Sequence, residues 1–274
     1  MNILEDTIIK EVVKRNFKTA QVFHAHNIDY CCGGNKPITE ACREKGINQE
    51  ILISQLNKIV TQVDEDTAYI NNLTLSELID HIVKKHHAYV RQHIPFLEKN
   101  LEKIARVHGA NHPELTEIQR LFHTSAGELT MHMQKEELML FPYIKRLEAA
   151  VKTKSSLPKS PFGSVANPIK MMMAEHQNEG DRFSEISSLS DNYTIPDDAC
   201  TTYEVTIKLL EEFEQDLHRH IHLENNILFP GALEMEEQFS VDQNAENHPK
   251  LNTLKNGVVF KVLEVTGDKG MQMP

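Results

Sequence analysis

Four cysteines in 274 residues are too few and too oddly placed for a disulfide framework, and two of them, Cys31 and Cys32, are neighbours. A reducing, cytoplasmic location is therefore expected. No apolar run approaches the ~20 residues of a membrane-spanning helix. The N-terminal stretch MNILEDTIIKEVVKRNF lacks a basic region followed by an apolar core and a small-residue cleavage site, so no signal peptide is expected. Positive charge is also short. Against 40 Asp and Glu stand 29 Lys and Arg, a formal charge of −11, which argues against nucleic acid or an anionic membrane surface as the main partner. What remains is an ordinary globular composition, 40% apolar and 25% charged, long enough for one large domain or two. Histidine alone is in excess. Fifteen in this length is a compositional hint of metal.

Two segments repeat each other, HMQKEELMLFP from His132 to Pro142 and HIHLENNILFP from His220 to Pro230. His132, Glu136, Leu140, Phe141 and Pro142 match His220, Glu224, Leu228, Phe229 and Pro230 at a shift of 88 residues. Residues four apart share a helix face, so each copy presents an imidazole and a carboxylate to one point. One such pair is usually a surface pair or a satisfied core histidine. Two copies in the same downstream frame are much harder to explain that way.

Residues 1 to about 65 read as a small all-helical unit. Ile8, Ile9, Val12, Val13 and Phe17 lie at helical spacing behind Asp6 and Thr7, either of which can cap. A second short helix, about Thr19 to His26, leads to Cys31, Cys32, Gly33 and Gly34, a tight turn that should leave the thiols near a surface. A third helix stops at Gly46, and a fourth starts near Asn48. Thr61 to Asn72 is polar and reads as a linker.

Thr74 and Glu77 form a capping-box pattern that opens a long helix with the stripe Ile79, Val83, His87, Val90, Ile94, Leu97, Leu101, Ile104. His86 is one step away, and spacing alone does not exclude it. Pro95 is expected to kink this helix. The next helix carries Ile118, Phe122, Ser125, Leu129, His132, Glu136 and Leu140 on one stripe. After a Lys/Ser/Pro-rich stretch, a third places Ile169, Met172, His176, Phe183 and Ile186 together, and a fourth Tyr203, Thr206, Leu210, Phe213, Leu217, His220, Glu224 and Leu228. His87 and His176 stand 89 residues apart, almost the same shift, so the whole two-helix unit is duplicated. Four such helices read as an up-and-down bundle. Val258 to Val265 reads more like a strand.

Four imidazoles and two carboxylates thus project into one core. Two buried glutamates without partners would be costly, and a dinuclear cation removes that cost. Each ion would take two imidazoles, with Glu136 and Glu224 bridging the pair. Nitrogen and oxygen donors without thiolate favour iron or manganese over a structural zinc. Six protein ligands for two ions leave positions for water, oxygen or nitric oxide. Core histidines bonded to backbone carbonyls would not explain six inward positions in a duplicated register. Met171 to Met173 read as core filling, Cys42 and Cys200 as ordinary small side chains, and His123, His218 and His222 as solvated or packing residues.

The two H-x-x-x-E segments in duplicated halves resemble the hemerythrin-like four-helix bundle. CCGG in a helical N-terminal module ahead of that bundle resembles the repair-of-iron-centres proteins, di-iron proteins implicated in mending iron–sulfur clusters after oxidative or nitrosative damage. The resemblance runs to about Glu234. It implies an all-α fold: a small helical CCGG-containing domain (1–65), a hemerythrin-like di-iron bundle (74–238) and a tail of unassigned role (239–274). It selects His87 over His86, since His87 stands before Arg91 and Ile94-Pro95 at the family's offset. His132, Glu136, His176, His220 and Glu224 carry over as the other ligands of two iron ions bridged by oxo and carboxylate groups. Glu128 and Glu175 match acidic positions near the metal. The additional histidine and aspartate of the oxygen-carrying hemerythrins have no counterpart, which counts against simple oxygen transport. The resemblance implies a supplier of iron to damaged iron–sulfur proteins, expected as a homodimer, with Cys31 and Cys32 reducing the site, binding the leaving iron or docking to a recipient. Reduction of nitric oxide to nitrous oxide at the iron pair, or sensing of oxygen or nitric oxide, are the alternatives.

Overall fold

Apolar stripes on long helices have only one another to bury against when no sheet is present. In the computed structural model, which describes residues 2–156 and 158–247, the described chain is all-α, with a single isolated bridge between Ile8 and Pro37. Val258 to Val265, read as a strand, lies outside the described residues. No described helix is long and apolar enough to cross a membrane.

In the N-terminal region, α1 (Ile9–Arg15), α2 (Thr19–Ala25), α3 (Ile38–Lys45) and α4 (Gln49–Val60) bury Ile9, Val13, Phe23, Ile38, Leu52 and Leu56 completely. Neither Asp6 nor Thr7 caps α1. Ile8 holds the cap position in extended backbone, and the Thr7 hydroxyl accepts the Leu4 N–H instead. Asn48 does cap α4, its side-chain oxygen taking the N–H groups of Glu50 and Ile51. Gly46 ends α3 with φ +65°, the left-handed geometry that glycine adopts without strain. The stretch read as a linker contains a further helix, α5 (Glu65–Asn71), with Thr67 and Ile70 buried. Thr67 Oγ1 accepts the Phe17 N–H at 2.9 Å, and Asp66 pairs with Arg219. Its polar side chains have partners distant in sequence, so polarity here does not mean an unstructured link.

Four rods make the bundle. The first is α6 (Leu75–Ile82), a π-helical turn Val83–His87, and α7 (Ala88–His108), opened by the Thr74–Glu77 capping box. The second is α8 (Glu114–Lys135), a π turn Glu136–Leu140, and α9 (Phe141–Thr153). The third is α10 (Ala166–Leu189), and the fourth α11 (Thr201–Leu223), a π turn Glu224–Leu228, and α12 (Phe229–Asn247). α7 packs on α8 and α11, and α10 closes the ring against the same two. α7 runs through Pro95 without interruption. Each π turn adds a residue and advances the buried face, so consecutive pairs go inside: His86 and His87, Leu140 and Phe141, Leu228 and Phe229 are all buried. Pro142 and Pro230 follow two of these turns, where a missing N–H donor is tolerated because the α-type bonding is already broken.

Along every rod the buried apolar residues fall into two groups. Val90 and Leu97, Phe122 and Leu129, Phe183 and Ile186, and Phe213 and Leu217 belong to one cluster. Ile79 and Ile82, Leu140 and Tyr143, Ile169 and Met172, and Leu228 and Phe229 belong to another. A polar layer separates them.

Candidate metal centre

That layer consists of His87, His132, Glu136, His176, His220 and Glu224, none more than 4% exposed. His132 and Glu136, and His220 and Glu224, are i,i+4 pairs at the end of α8 and of α11, each carboxylate opening a π turn. Glu136 lies 3.4 Å from Nε2 of both His132 and His87. Glu224 lies 3.0 Å from His220 Nε2 and 3.1 Å from His176 Nε2. Across the bundle His87 Nε2 meets His220 Nε2 at 3.1 Å, and His132 Nε2 meets His176 Nε2 at 3.0 Å. Two four-residue sets result, His87/Glu136/His220/Glu224 and His132/Glu136/His176/Glu224, each with its donor atoms within 4.8 Å of one another. Both carboxylates belong to both sets.

These residues fit a pair of cations. Both oxygens of Glu136 and Oε2 of Glu224 are buried with no hydrogen bond, a costly state for a carboxylate unless positive charge stands beside it. Three of the four outer ring nitrogens are engaged. His87 Nδ1–H donates to Glu137 Oε1 at 2.6 Å, His132 Nδ1–H to Glu175 Oε2 at 2.7 Å, and His176 Nδ1–H to Asn225 Oδ1 at 2.8 Å. A proton held at Nδ1 leaves the Nε2 lone pair free, aimed at the carboxylates, which is how histidine ligates metal. His220 Nδ1 has no partner. Burial disfavours charge on His132, yet Glu136, Glu175 and Glu224 outweigh it and push its pKa up to about 10. Burial and Glu224 would raise Glu136, but His132 and His87 hold it below the usual carboxylate range, and Glu224 is held well below by His220 and His176. The carboxylates of the layer stay ionised because cationic charge stands beside them, here on protonated imidazoles, whose place bound cations can take.

Residues 78–232 match the model of the hemerythrin HHE cation binding domain. This chain belongs to the hemerythrin HHE family. Residues 5–60 match a second model, ScdA_N, described as a domain of unknown function. Among curated relatives, the iron-sulfur cluster repair protein ScdA of Staphylococcus haemolyticus is 29% identical over 83% of this chain and 98% of its own. The iron-sulfur cluster repair proteins YtfE of Shigella boydii and of Dickeya chrysanthemi are each 35% identical over 79% of this chain and 91% of theirs.

Within this hemerythrin-type layer, His86 is as buried as His87 but belongs to neither set. Its Nδ1 faces Asp216 at 2.9 Å, and its ring stacks 5.8 Å from that of His220. Glu175 supports His132 directly, whereas Glu128 pairs with Arg182 at 2.9 Å. Periodicity missed Glu137 and Asn225. A signal existed, since each directly follows the glutamate of its repeat and supplies an oxygen at the same offset.

The structure does not bring Cys31 and Cys32 into either set. The turn has a steric rationale: a Cβ on Gly34 would stand 2.4 Å from the Tyr30 carbonyl oxygen. Cys31 is buried, contrary to the expected surface position, and only Cys32 is partly exposed. Asn225 links the regions, its Nδ2 donating to the Cys31 carbonyl at 3.2 Å while its Oδ1 holds His176. His222 is buried against Phe17 and Tyr30, and His218 packs beside Tyr30 and His24. His123 is solvated and pairs with Glu98.

Proposed function

We propose that this protein holds two iron ions through His87, His132, Glu136, His176, His220 and Glu224, bridged by both glutamates and an oxo group. Its role is repair of iron–sulfur clusters damaged by oxidative or nitrosative stress, achieved by supplying iron to the damaged proteins. The observation that carries the reading is the pair of donor sets sharing two buried carboxylates, three of whose four oxygens have no hydrogen bond. The curated relatives' name, iron-sulfur cluster repair protein, supports the repair role. When bound, an iron pair supplies ferric–ferrous cycling, and ferrous iron is the form that leaves for an acceptor. The chain's own part is to fix four imidazoles through Glu137, Glu175, Asn225 and the i,i+4 geometry, and to keep the carboxylates dry. Free cysteines suit a reducing cytoplasm.

The test is twofold. Protein from iron-replete cells should contain close to two irons per chain, and a value near one, or zinc alone, refutes the centre. The loaded protein should restore cluster-dependent activity to a damaged client enzyme. Turnover of nitric oxide with a reductant, without such recovery, would replace repair with catalysis.

A further inference from the structure

The CCGG turn carries donors that the His/Glu layer does not use. Asp29 organises it: Oδ1 accepts the N–H groups of Cys31 and Cys32, both at 2.9 Å, and Oδ2 accepts that of Gly33 at 2.6 Å. The two thiols so placed stand 3.7 Å apart, and the Cys31 S–H points at Asp29 Oδ1 at 3.3 Å. Two thiolates bound to one ion at about 2.3 Å with tetrahedral angles lie roughly 3.8 Å apart. The spacing already present is that of a chelate.

We propose that Asp29, Cys31 and Cys32 form a second cation site, one that takes a borderline divalent ion such as zinc or ferrous iron. One donor atom from each residue lies within 4.8 Å of the others. Thiolate donors select this class of ion over magnesium or calcium. On binding, both thiols release their protons to solvent, the ion sheds water, and the Asp29 oxygen that accepted the S–H turns to the ion. No electron moves. One divalent charge against two thiolates and one carboxylate leaves the site at −1.

The site is open, which makes it a place of exchange. A structural site fills four positions from the protein, whereas here three donors leave one for water or an incoming ligand. The turn borders a cavity of about 800 Å³ lined also by Lys36, Gly180, Glu214 and His218. Gly180 of α10 leaves room at Cys32, since even a Cβ there would stand 3.7 Å from its Sγ. The site's connection to the bundle is Asn225, bonded to both His176 and the Cys31 carbonyl. Its use as a station for iron leaving the bundle rests on the iron-donation reading above; its capacity to bind does not.

Cobalt(II), added anaerobically with thiols reduced, to full-length protein already loaded with iron, tests this. The expected result is one further equivalent bound, with near-ultraviolet thiolate-to-cobalt charge-transfer absorption. Cys31→Ser with Cys32→Ser should abolish the band while bundle iron stays unchanged. Asp29→Asn should weaken cobalt binding by about tenfold or more. Because Asp29 also holds the turn, Cys32→Ser alone is the control: it keeps those backbone bonds, should keep the helical circular dichroism, and should still lose most of the band. A wild-type protein without the band overturns the proposal, as does a band persisting in the double serine variant. A band with normal affinity but no iron reaching an apo-cluster acceptor supports the site and refutes donation.

Discussion

The two halves of the bundle share one sequence frame but support their histidines differently. In the first half, Glu137 takes the Nδ1–H of His87 and also pairs with Arg91 on the partly exposed side. The equivalent residue of the second half is Asn225, which holds His176 with a neutral amide and turns its Nδ2 toward the Cys31 carbonyl. One position before the single histidine, the second half has Glu175, which holds His132 and pairs with Lys135. The first half has His86 there, bonded to Asp216 and stacked on His220, whose Nδ1 is left without a partner. Duplication preserved the candidate donor atoms and diversified what stands behind them. A carboxylate behind imidazole makes it a stronger donor than an amide does. Each donor set therefore combines one carboxylate-backed histidine, His87 or His132, with one weaker, His220 or His176.

Removing a shared group should erase the comparison altogether. Glu136→Ala or Glu224→Ala takes a donor from both sets, and we expect at least about a hundredfold loss of affinity at both positions, with a less stable bundle. Elemental analysis and thermal melting read this, and a variant that keeps one full iron position would show that the glutamates do not bridge. The next largest effect comes from the supports. Glu137→Leu and Asn225→Leu should each weaken metal binding about 10- to 100-fold, in different sets. Only Asn225→Leu should also change the alkylation rate of Cys31 and Cys32, because only Asn225 touches the turn. Chelator competition and thiol labelling separate the two, and identical labelling in both variants would sink the coupling.

A third difference lies away from the layer. Glu214 is buried where the first half has Ala126. Burial, aided by Glu211 and only partly offset by Tyr193, pushes its pKa up to about 7. A carboxyl raised above its unfolded value costs nothing while both states are protonated. The cost grows as pH climbs from about 4.5 to about 7 and is complete above that. Glu214→Gln should therefore stabilise the protein near pH 8 by up to roughly 3 kcal/mol and change little near pH 4. Denaturant midpoints at the two pH values measure it, and a gain at low pH alone would reverse the sign. The smallest effect is expected at His86. His86→Ala removes a stacking ring and should cost metal affinity about tenfold at most, far less than His87→Ala. Equal losses would mean that His86 ligates.

The sequence by itself determined the bundle, its duplication and the inward direction of all six donor residues, because a 3.6-residue period states which side chains share a face. It also contained the CCGG turn and the capping box at Thr74 and Glu77. Which of His86 and His87 joins a donor set was open on spacing, for a π turn moves the frame by one residue and both end up buried. Tertiary structure alone decided that Glu137 and Asn225 stand behind His87 and His176, since those contacts join residues 50 and 49 positions apart. It also decided that Thr61 to Asn72 includes a helix and that Cys31 is buried. A polar stretch reads as solvated until its hydrogen-bond partners are known, and a thiol's exposure depends on what packs over it. Periodicity carries the facing of a residue within its own helix; pairing between helices is settled only when they meet.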